Sequence, residues 1–271
     1  MLFFTFCVDI GKHSRSTLVN TLLMMLKSIH NKIPDYTIIC FTNFTIKNKN
    51  NYNIQFRRYY NRRLKLYKNE WLNLSFNKIN IYKDLYDEFK RDFIWIDLDT
   101  IVTYDISYLN MLTNVFIETG GECQERWELF HNSTISVPTH KYVQGNFWKL
   151  NIAMYNVLMQ TLRELINKNL KMRFDLQDLF NYYIFIQDNG ELKNINILGN
   201  NIRKNTINGL GIWSENRTVL LHANVNGLNN LYYDNKQLKT RFYNKEIHLV
   251  SFTFDTLKKL QNNNQFNKLF N

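Results

Sequence analysis

The chain has 271 residues, 45% of them hydrophobic, which is enough to bury one sizeable core. Its three cysteines, Cys7, Cys40 and Cys123, are widely spaced and odd in number; this excludes a disulfide framework and a zinc pattern and points to a reducing compartment. The 34 Lys and Arg outnumber the 23 Asp and Glu, a formal net charge of +11, so polyanionic partners come first: nucleic acid, an anionic membrane surface or phosphorylated small molecules.

Residues 2–8 are apolar, and Asp9 ends the run with no basic stretch before it, so it reads as a first strand and not as a signal peptide. Residues 11–16 are a polar turn with a helix N-cap at Ser14 or Ser16. Leu18, Leu22, Met25, Leu26 and Ile29 then fall on one helical face. Residues 36–41 form a second β-rich run; strand, helix, strand suggests a βαβ unit and a parallel sheet. Residues 44–70 are polar and Asn-rich and read as irregular. They hold a basic cluster, Arg57, Arg58, Arg62, Arg63, Lys65 and Lys68, interleaved with Tyr59, Tyr60 and Tyr67. A solvated loop or helix face is its ordinary meaning; a pyrophosphate contact or attachment to acidic headgroups is the functional one. Residues 71–89 read as a helix.

Residues 93–103 are the most informative stretch. An uncharged run, Phe93-Ile94-Trp95-Ile96, ends in Asp97-Leu98-Asp99, and apolar residues resume at Ile101 and Val102. Such a run is the mark of a strand buried on both faces. Two carboxylates there need compensation, and a divalent cation at the carboxyl edge of the strand supplies it, at the place where open α/β sheets bind ligands. Residues two apart on a strand share a side, so Asp97 and Asp99 are expected to converge on one ion. Oxygen ligands suit Mg or Mn. A solvated turn is the competing meaning of so short a pattern.

Further along, residues 115–119 read as a strand and 120–141 as a long irregular loop. Residues 151–170 form a helix with the stripe Tyr155, Leu158, Leu162, Leu165 and Ile166. Residues 175–187 form another, and 195–198 and 219–221 are short strands. From about residue 232 a basic, aromatic and Asn-rich stretch extends what reads as one domain over 1–271.

Three features fall in order: the strand ending in Asp97-Leu98-Asp99; Asp175-Leu176-Gln177-Asp178-Leu179-Phe180-Asn181 at a helix start; and Leu220-Leu221-His222-Ala223-Asn224-Val225-Asn226-Gly227, a strand entering a turn. Together they resemble the GT-A glycosyltransferases, above all the glycogenin-like and related nucleotide-diphospho-sugar transferases, with their D-x-D, D-Q-x-x-x-N-type helix and late His turn. Phe3-Phe4-Thr5-Phe6-Cys7 is similar to their first strand, and the likeness runs from residue 2 to about 230. The resemblance implies an α/β, Rossmann-like GT-A fold, a mostly parallel sheet flanked by helices. It implies metal-dependent transfer, with Mn2+ or Mg2+, of a sugar from a nucleotide-sugar, a UDP-sugar foremost, to a glycan or lipid-linked saccharide, retention of configuration being favoured. By the same resemblance Asp99 would bind the metal, Asp97 would bind it or reach it through water while contacting the ribose beside Leu98, and His222 would be the third protein ligand. Thr5, Phe6 and Cys7 would line the nucleobase pocket, Lys78 would contact nucleotide or donor, and Gln177 and Asp178, with Asp175, would face the donor sugar. The chain departs from the pattern at Leu176, often Asp in the relatives, at residues 228–231, which lack their lysine, and at Val143-Gln144-Gly145-Asn146-Phe147, where their N-S-G donor loop would lie.

Each of these residues also has an ordinary reading. Asp175 can be a helix N-cap, Asp178 a first-turn acid, Lys78 a surface lysine and His222 a partly buried side chain. Trp127, His131, His140 and Trp148 can stack on an acceptor sugar or simply pack. Two other functions fit parts of the chain. A nucleotidyltransferase can place carboxylates and a divalent ion at the same edge, but it would want a Gly-rich basic phosphate loop, where residues 9–16 offer Gly11, Lys12 and Arg15. A basic nucleic-acid-binding protein with stacking aromatics is the other, and its basic residues would need to cluster on one face. With no membrane-spanning run, the expected setting is the cytoplasm, with at most peripheral contact to a membrane.

Overall fold

The computed structural model describes residues 1–47, 51–60, 70–98, 100–102, 105–118, 143–167, 176–187, 194–198, 210–215, 218–223, 231–234, 237–240 and 249–252, with backbone alone from residue 210 onward. It is an α/β fold with a seven-stranded sheet in the order β3-β2-β1-β4-β7-β6-β8. The strands are β1 (Leu2–Cys7), β2 (Thr37–Thr42), β3 (Ile54–Arg58), β4 (Ile94–Ile96), β6 (Val115–Glu118), β7 (Val143–Lys149) and β8 (Asn196–Leu198). Strands β3, β2, β1 and β4 are mutually parallel. Strand β7 is antiparallel to both β4 and β6, and β8 is parallel to β6, so β7 alone runs against the other six. The sheet is mostly parallel, but mixed.

Helix α1 (Arg15–Lys32) connects β1 to β2 and is N-capped by Ser14, whose hydroxyl accepts from the Thr17 N–H. Its buried residues Leu18, Leu22, Met25, Leu26 and Ile29 are the stripe read from the sequence. They cover one face of the sheet together with Phe3, Cys7, Ile38, Cys40, Ile94 and Ile96. Helices α2 (Glu70–Phe89), α3 (Ile152–Asn167) and α4 (Leu176–Tyr182, followed by a π turn, Tyr183–Gln187) cover the other face, against Phe4, Phe6, Ile39, Phe41, Trp95 and Trp148. Asn151 caps α3 by accepting from the Met154 N–H. The alternation of β1, Phe3 to one side and Phe4 to the other, is the period of two that a strand covered on both faces produces.

Strand β5 (Thr100–Val102) leaves this sheet and joins a second, in the order β5-β13-β10-β9, with β9 (Leu210–Glu215), β10 (Thr218–Ala223) and β13 (Leu249–Phe252). Strands β11 (Leu231–Asp234) and β12 (Gln237–Thr240) form a hairpin. Through β13, the stretch expected to be a C-terminal extension is paired directly to β5.

Two strands were not expected from the sequence, one of them inside a segment read as irregular. β3 lies inside 44–70; as a half-exposed edge strand it alternates Ile54 and Phe56 with Gln55 and Arg57, so no apolar run announces it. β7 carries Gln144, Gly145 and Asn146, polar and turn-like residues that obscure a central strand. The long segment 120–141, with Trp127, His131 and His140, lies outside the described residues. Trp148 does not line an acceptor site: it is fully buried and stacks on Trp95 with centroids 6.2 Å apart. Among the described residues no helix is long and apolar enough to cross a membrane.

Candidate functional site

From β1 the chain steps outward to β2 and β3, then returns to set β4 on the other side of β1. Ligands of open α/β sheets bind beyond the carboxyl ends of the strands at such a reversal. The carboxyl end of β4 is where Asp97 stands. Its N–H donates to the Asn146 carbonyl on β7 at 2.8 Å, the last rung of that pairing, and its own carbonyl accepts from the Thr100 N–H at 3.1 Å. Strand β4 therefore ends at Ile96, and Asp97 and Leu98 enter a turn; the sequence expectation set Asp97 and Asp99 on the strand and gave a turn as the competing meaning. The reason is topological: β5 belongs to the second sheet, and the chain must leave the first between Ile96 and Thr100. Ile94, Trp95 and Ile96 before the turn are buried on both faces, as the uncharged run suggested.

Asp97 is held, not loose. Its Oδ1 accepts from Lys78 Nζ at 3.0 Å and from the Trp95 indole N–H at 2.9 Å. Lys78 Nζ also lies 4.3 Å from the centre of the Trp95 ring, over its face. Helix α2 sets this up by burying Phe76, Ile79 and Tyr82; Lys78 then runs its stem along the apolar rim and presents its ammonium at the strand end. The side chains keep 14% and 30% of their exposure, so the ion pair contributes no more than about 1 kcal/mol, and the contact with the indole face adds about 0.5–1 kcal/mol. What the arrangement supplies is orientation. Oδ2 takes no bond from any described residue.

The far flank of Asp97 is β7 and the start of α4. Gln177 Oε1 accepts from the Gly145 N–H at 3.4 Å. Asn181 is fully buried and clamps α4 to β7: its Oδ1 accepts from the Val143 N–H at 2.8 Å, and its Nδ2 donates to the carbonyls of Val143 and Gln177. Asp178 is buried in the first turn of α4. The segment 177–181 thus meets the turn at Asp97 through β7. Asp175 lies outside the described residues.

On β1, Thr5, Phe6 and Cys7 are all buried. Cys7 belongs to the α1 side of the sheet, whereas Phe6 packs on the other side, edge-on to Phe41, Tyr59 and Trp95. By strand alternation Thr5 shares the side of Cys7, so the three side chains do not share one face. Burial pushes the Cys7 thiol up to about 12, so it stays neutral at ordinary pH. The loop after β1 is closed on itself: Asp9 accepts from the Gly11 N–H at 3.0 Å and from Arg15 Nε at 2.9 Å. These bonds hold the Asp9 carboxyl below its usual range, and they occupy groups that a phosphate loop would present.

Of the three expected metal ligands the structure describes one side chain, Asp97, and a carboxylate oxygen is a donor that suits a hard divalent ion. Asp97 offers an oxygen donor, and Leu98 turns inward to the α1 core. Asp99 lies outside the described residues. His222 is described by its backbone, on β10, where strand register sets it opposite Ser251, which in turn faces Thr100. His222 is therefore in the same row as the residue that follows Asp99, two strand spacings or about 10 Å across the sheet. Among the described residues no group of three or more His, Cys, Asp and Glu gathers; two of the three expected ligands fall outside that search.

No protein-family model matches the chain, and no curated protein matches it significantly. Sequence reading missed two residues of the site. Trp95 had a signal, since a residue two before Asp97 on a strand shares its side. Asn146 was named only within the stretch that departs from the donor-loop pattern, because its place opposite Asp97 depends on a register no local pattern encodes.

Proposed function

We propose that the chain is a metal-dependent glycosyltransferase of GT-A type, using a nucleotide-sugar, a UDP-sugar foremost, and passing its sugar to a glycan or lipid-linked saccharide. The observation that carries this reading is the convergence of Asp97, Lys78 and the Gln177 segment at the carboxyl end of β4, beside the sheet's topological reversal. Those are three sequence-distant groups that the resemblance assigns to one donor site.

In this reading Asp97 and Asp99, with His222, hold Mn2+ or Mg2+, which supplies charge stabilisation to the departing diphosphate without a proton transfer. Lys78 keeps Asp97 oriented in the resting site and offers a second positive charge to the phosphates. Trp95 fixes Oδ1, so that Oδ2 faces outward. Gln177 and Asp178 lie on the β7 flank, where the sugar would extend. The self-satisfied Asp9 loop disfavours the nucleotidyltransferase alternative.

The test is a panel of nucleotide-sugars with Mn2+, scored for release of the nucleoside diphosphate. Wild-type protein should turn over at least one, and Asp97→Asn, which retains an acceptor for Lys78 and Trp95, should lower the rate by at least about a hundredfold. Turnover undiminished in that variant, or absent from wild type across the panel, overturns the reading.

A further inference from the structure

Thr100 opens β5 directly after the D-x-D, and its N–H donates to the Asp97 carbonyl across the turn. The residue is 1% exposed, yet its hydroxyl has no hydrogen-bond partner among the described residues. A buried hydroxyl left unpaired is unfavourable, so a partner is to be sought close by. Strand register shows where. Val102 is buried in the α1 core, where its N–H donates to Ser28 Oγ at 3.0 Å, and the strand period puts Thr100 on the same side. Val102 pairs with Leu249 and Leu249 with Leu220, so one row across β5, β13 and β10 is apolar. Thr100 pairs with Ser251 and Ser251 with His222, so the next row on that face is polar at all three positions. Paired residues on adjacent strands stand about 5 Å apart on one side of a sheet, a separation that hydroxyl and imidazole hydrogen bonds span. Strand β13 lies between β5 and β10 in the sheet order, so Ser251 is the member of the row that adjoins both of the others.

We propose that Ser251 is a positioning residue for His222: its Oγ accepts from the imidazole N–H, and its own O–H donates to Thr100 Oγ1. The inference rests on the transferase reading, with His222 as a metal ligand, and adds the residues that hold that ligand. A hydroxyl can accept and donate at once, which a relay of this kind requires. A histidine that binds a metal through one nitrogen carries its proton on the other, and a partner for that N–H fixes both the tautomer and the ring orientation. The relay ends on Thr100, the residue next to Asp99, so the strand that leaves the D-x-D turn and the strand that carries His222 are tied to each other through Ser251.

The test is a double-mutant cycle read on Mn2+ binding, in the presence of UDP, by electron paramagnetic resonance. Ser251→Ala should raise the Mn2+ dissociation constant about tenfold, and Ser251→Thr, which keeps a hydroxyl on a strand, should stay within about twofold of wild type. Thr100→Val removes the other end of the relay with little change of shape and should shift the constant in the same direction, so the test does not depend on the folding of Ser251→Ala alone. In a His222→Ala background neither Ser251→Ala nor Thr100→Val should weaken binding further. Loss of equal size with and without His222 overturns the inference, by showing that the row only supports the second sheet. No loss in Ser251→Ala and Thr100→Val, or a loss that Ser251→Thr does not restore, overturns it as well. Binding unchanged in His222→Ala itself removes the ligand and with it this inference, while the transferase reading still stands on Asp97 and Asp99. Failure of wild type to bind Mn2+ with UDP overturns both.

Discussion

At the scale of single residues the account turns on Asp97. One of its oxygens takes both the Lys78 ammonium and the Trp95 indole N–H, so its roles in folding and in ligand binding can be separated. Asp97→Ala removes the acceptor of a buried indole and should lower stability by about 1–2 kcal/mol in urea unfolding. Asp97→Asn should unfold near the wild-type midpoint and still fail to bind Mn2+ with UDP. Equal stability loss in the two variants would mean that the negative charge, not the hydrogen bonds, holds the turn. His222 belongs to the same scale. The row His222, Ser251, Thr100 places its backbone across the second sheet from the D-x-D turn. As a direct ligand it should, when changed to Ala, raise the Mn2+ dissociation constant measured by electron paramagnetic resonance at least about tenfold. An unchanged constant would remove His222 from the ligand set. The sequence made Asp97, Lys78 and Gln177 legible because each sits in a motif; Trp95 and Asn146 act through strand neighbours and leave no motif behind.

At the scale of elements, β7 is the part on which the site depends and the part least visible in the sequence. It pairs with β4 up to Asp97, bulges at residues 145–147 and is clamped at its start by Asn181. At its other end Lys149 is buried, and its ammonium donates to the carbonyls of Leu109, Asn110 and Leu112 at 3.1, 3.0 and 2.6 Å. It thereby closes the 3-10 turn (Ser107–Met111) that follows β5, and burial lowers the Lys149 pKa. Asn181→Leu strands the Val143 N–H and carbonyl in the core and should cost about 2–4 kcal/mol. Lys149→Met leaves three carbonyls without their donor and should cost a similar amount. Chemical denaturation of both tests this, and a loss below about 0.5 kcal/mol in either would show that water or a neighbour replaces the missing group. The helices were legible because a stripe such as Leu158, Leu162 and Leu165 repeats with the helical period, and β1, β2 and β4 because apolar runs mark strands buried on both faces. β3 and β7 were not, since an edge strand and a strand paired beside the Asp97 turn carry polar residues for reasons outside their own segment. The turn at Asp97 was read as the competing meaning and not the leading one for a related reason: the passage between two sheets is a tertiary fact.

At the scale of the whole molecule the question is what the net charge of +11 does. Some of the basic residues are paired with acids, which leaves that excess unchanged. Arg57 pairs with Glu88 through both guanidinium nitrogens and lies 5.4 Å from the centre of the Phe89 ring, and Lys83 pairs with Asp87. Arg62, Arg63, Lys65 and Lys68 lie outside the described residues, and their role is tested in solution. Reversing Arg62 and Arg63 to Glu should reduce association with anionic liposomes and leave transfer to a soluble acceptor within about twofold of wild type, with the liposome effect fading as salt rises. DNA should bind weakly and without effect on transfer; submicromolar binding at physiological salt together with no response to nucleotide-sugars would favour the nucleic-acid alternative. The claim on which everything else depends is that the Asp97-Leu98-Asp99 turn is a metal-nucleotide site. The most direct test is the melting temperature of wild type and Asp99→Ala with and without Mn2+ plus UDP. A ligand bound only by the folded state raises the wild-type melting temperature, and that rise should vanish in Asp99→Ala while the unliganded variant still melts cooperatively. A rise of equal size in both proteins, or none in wild type, would contradict the account.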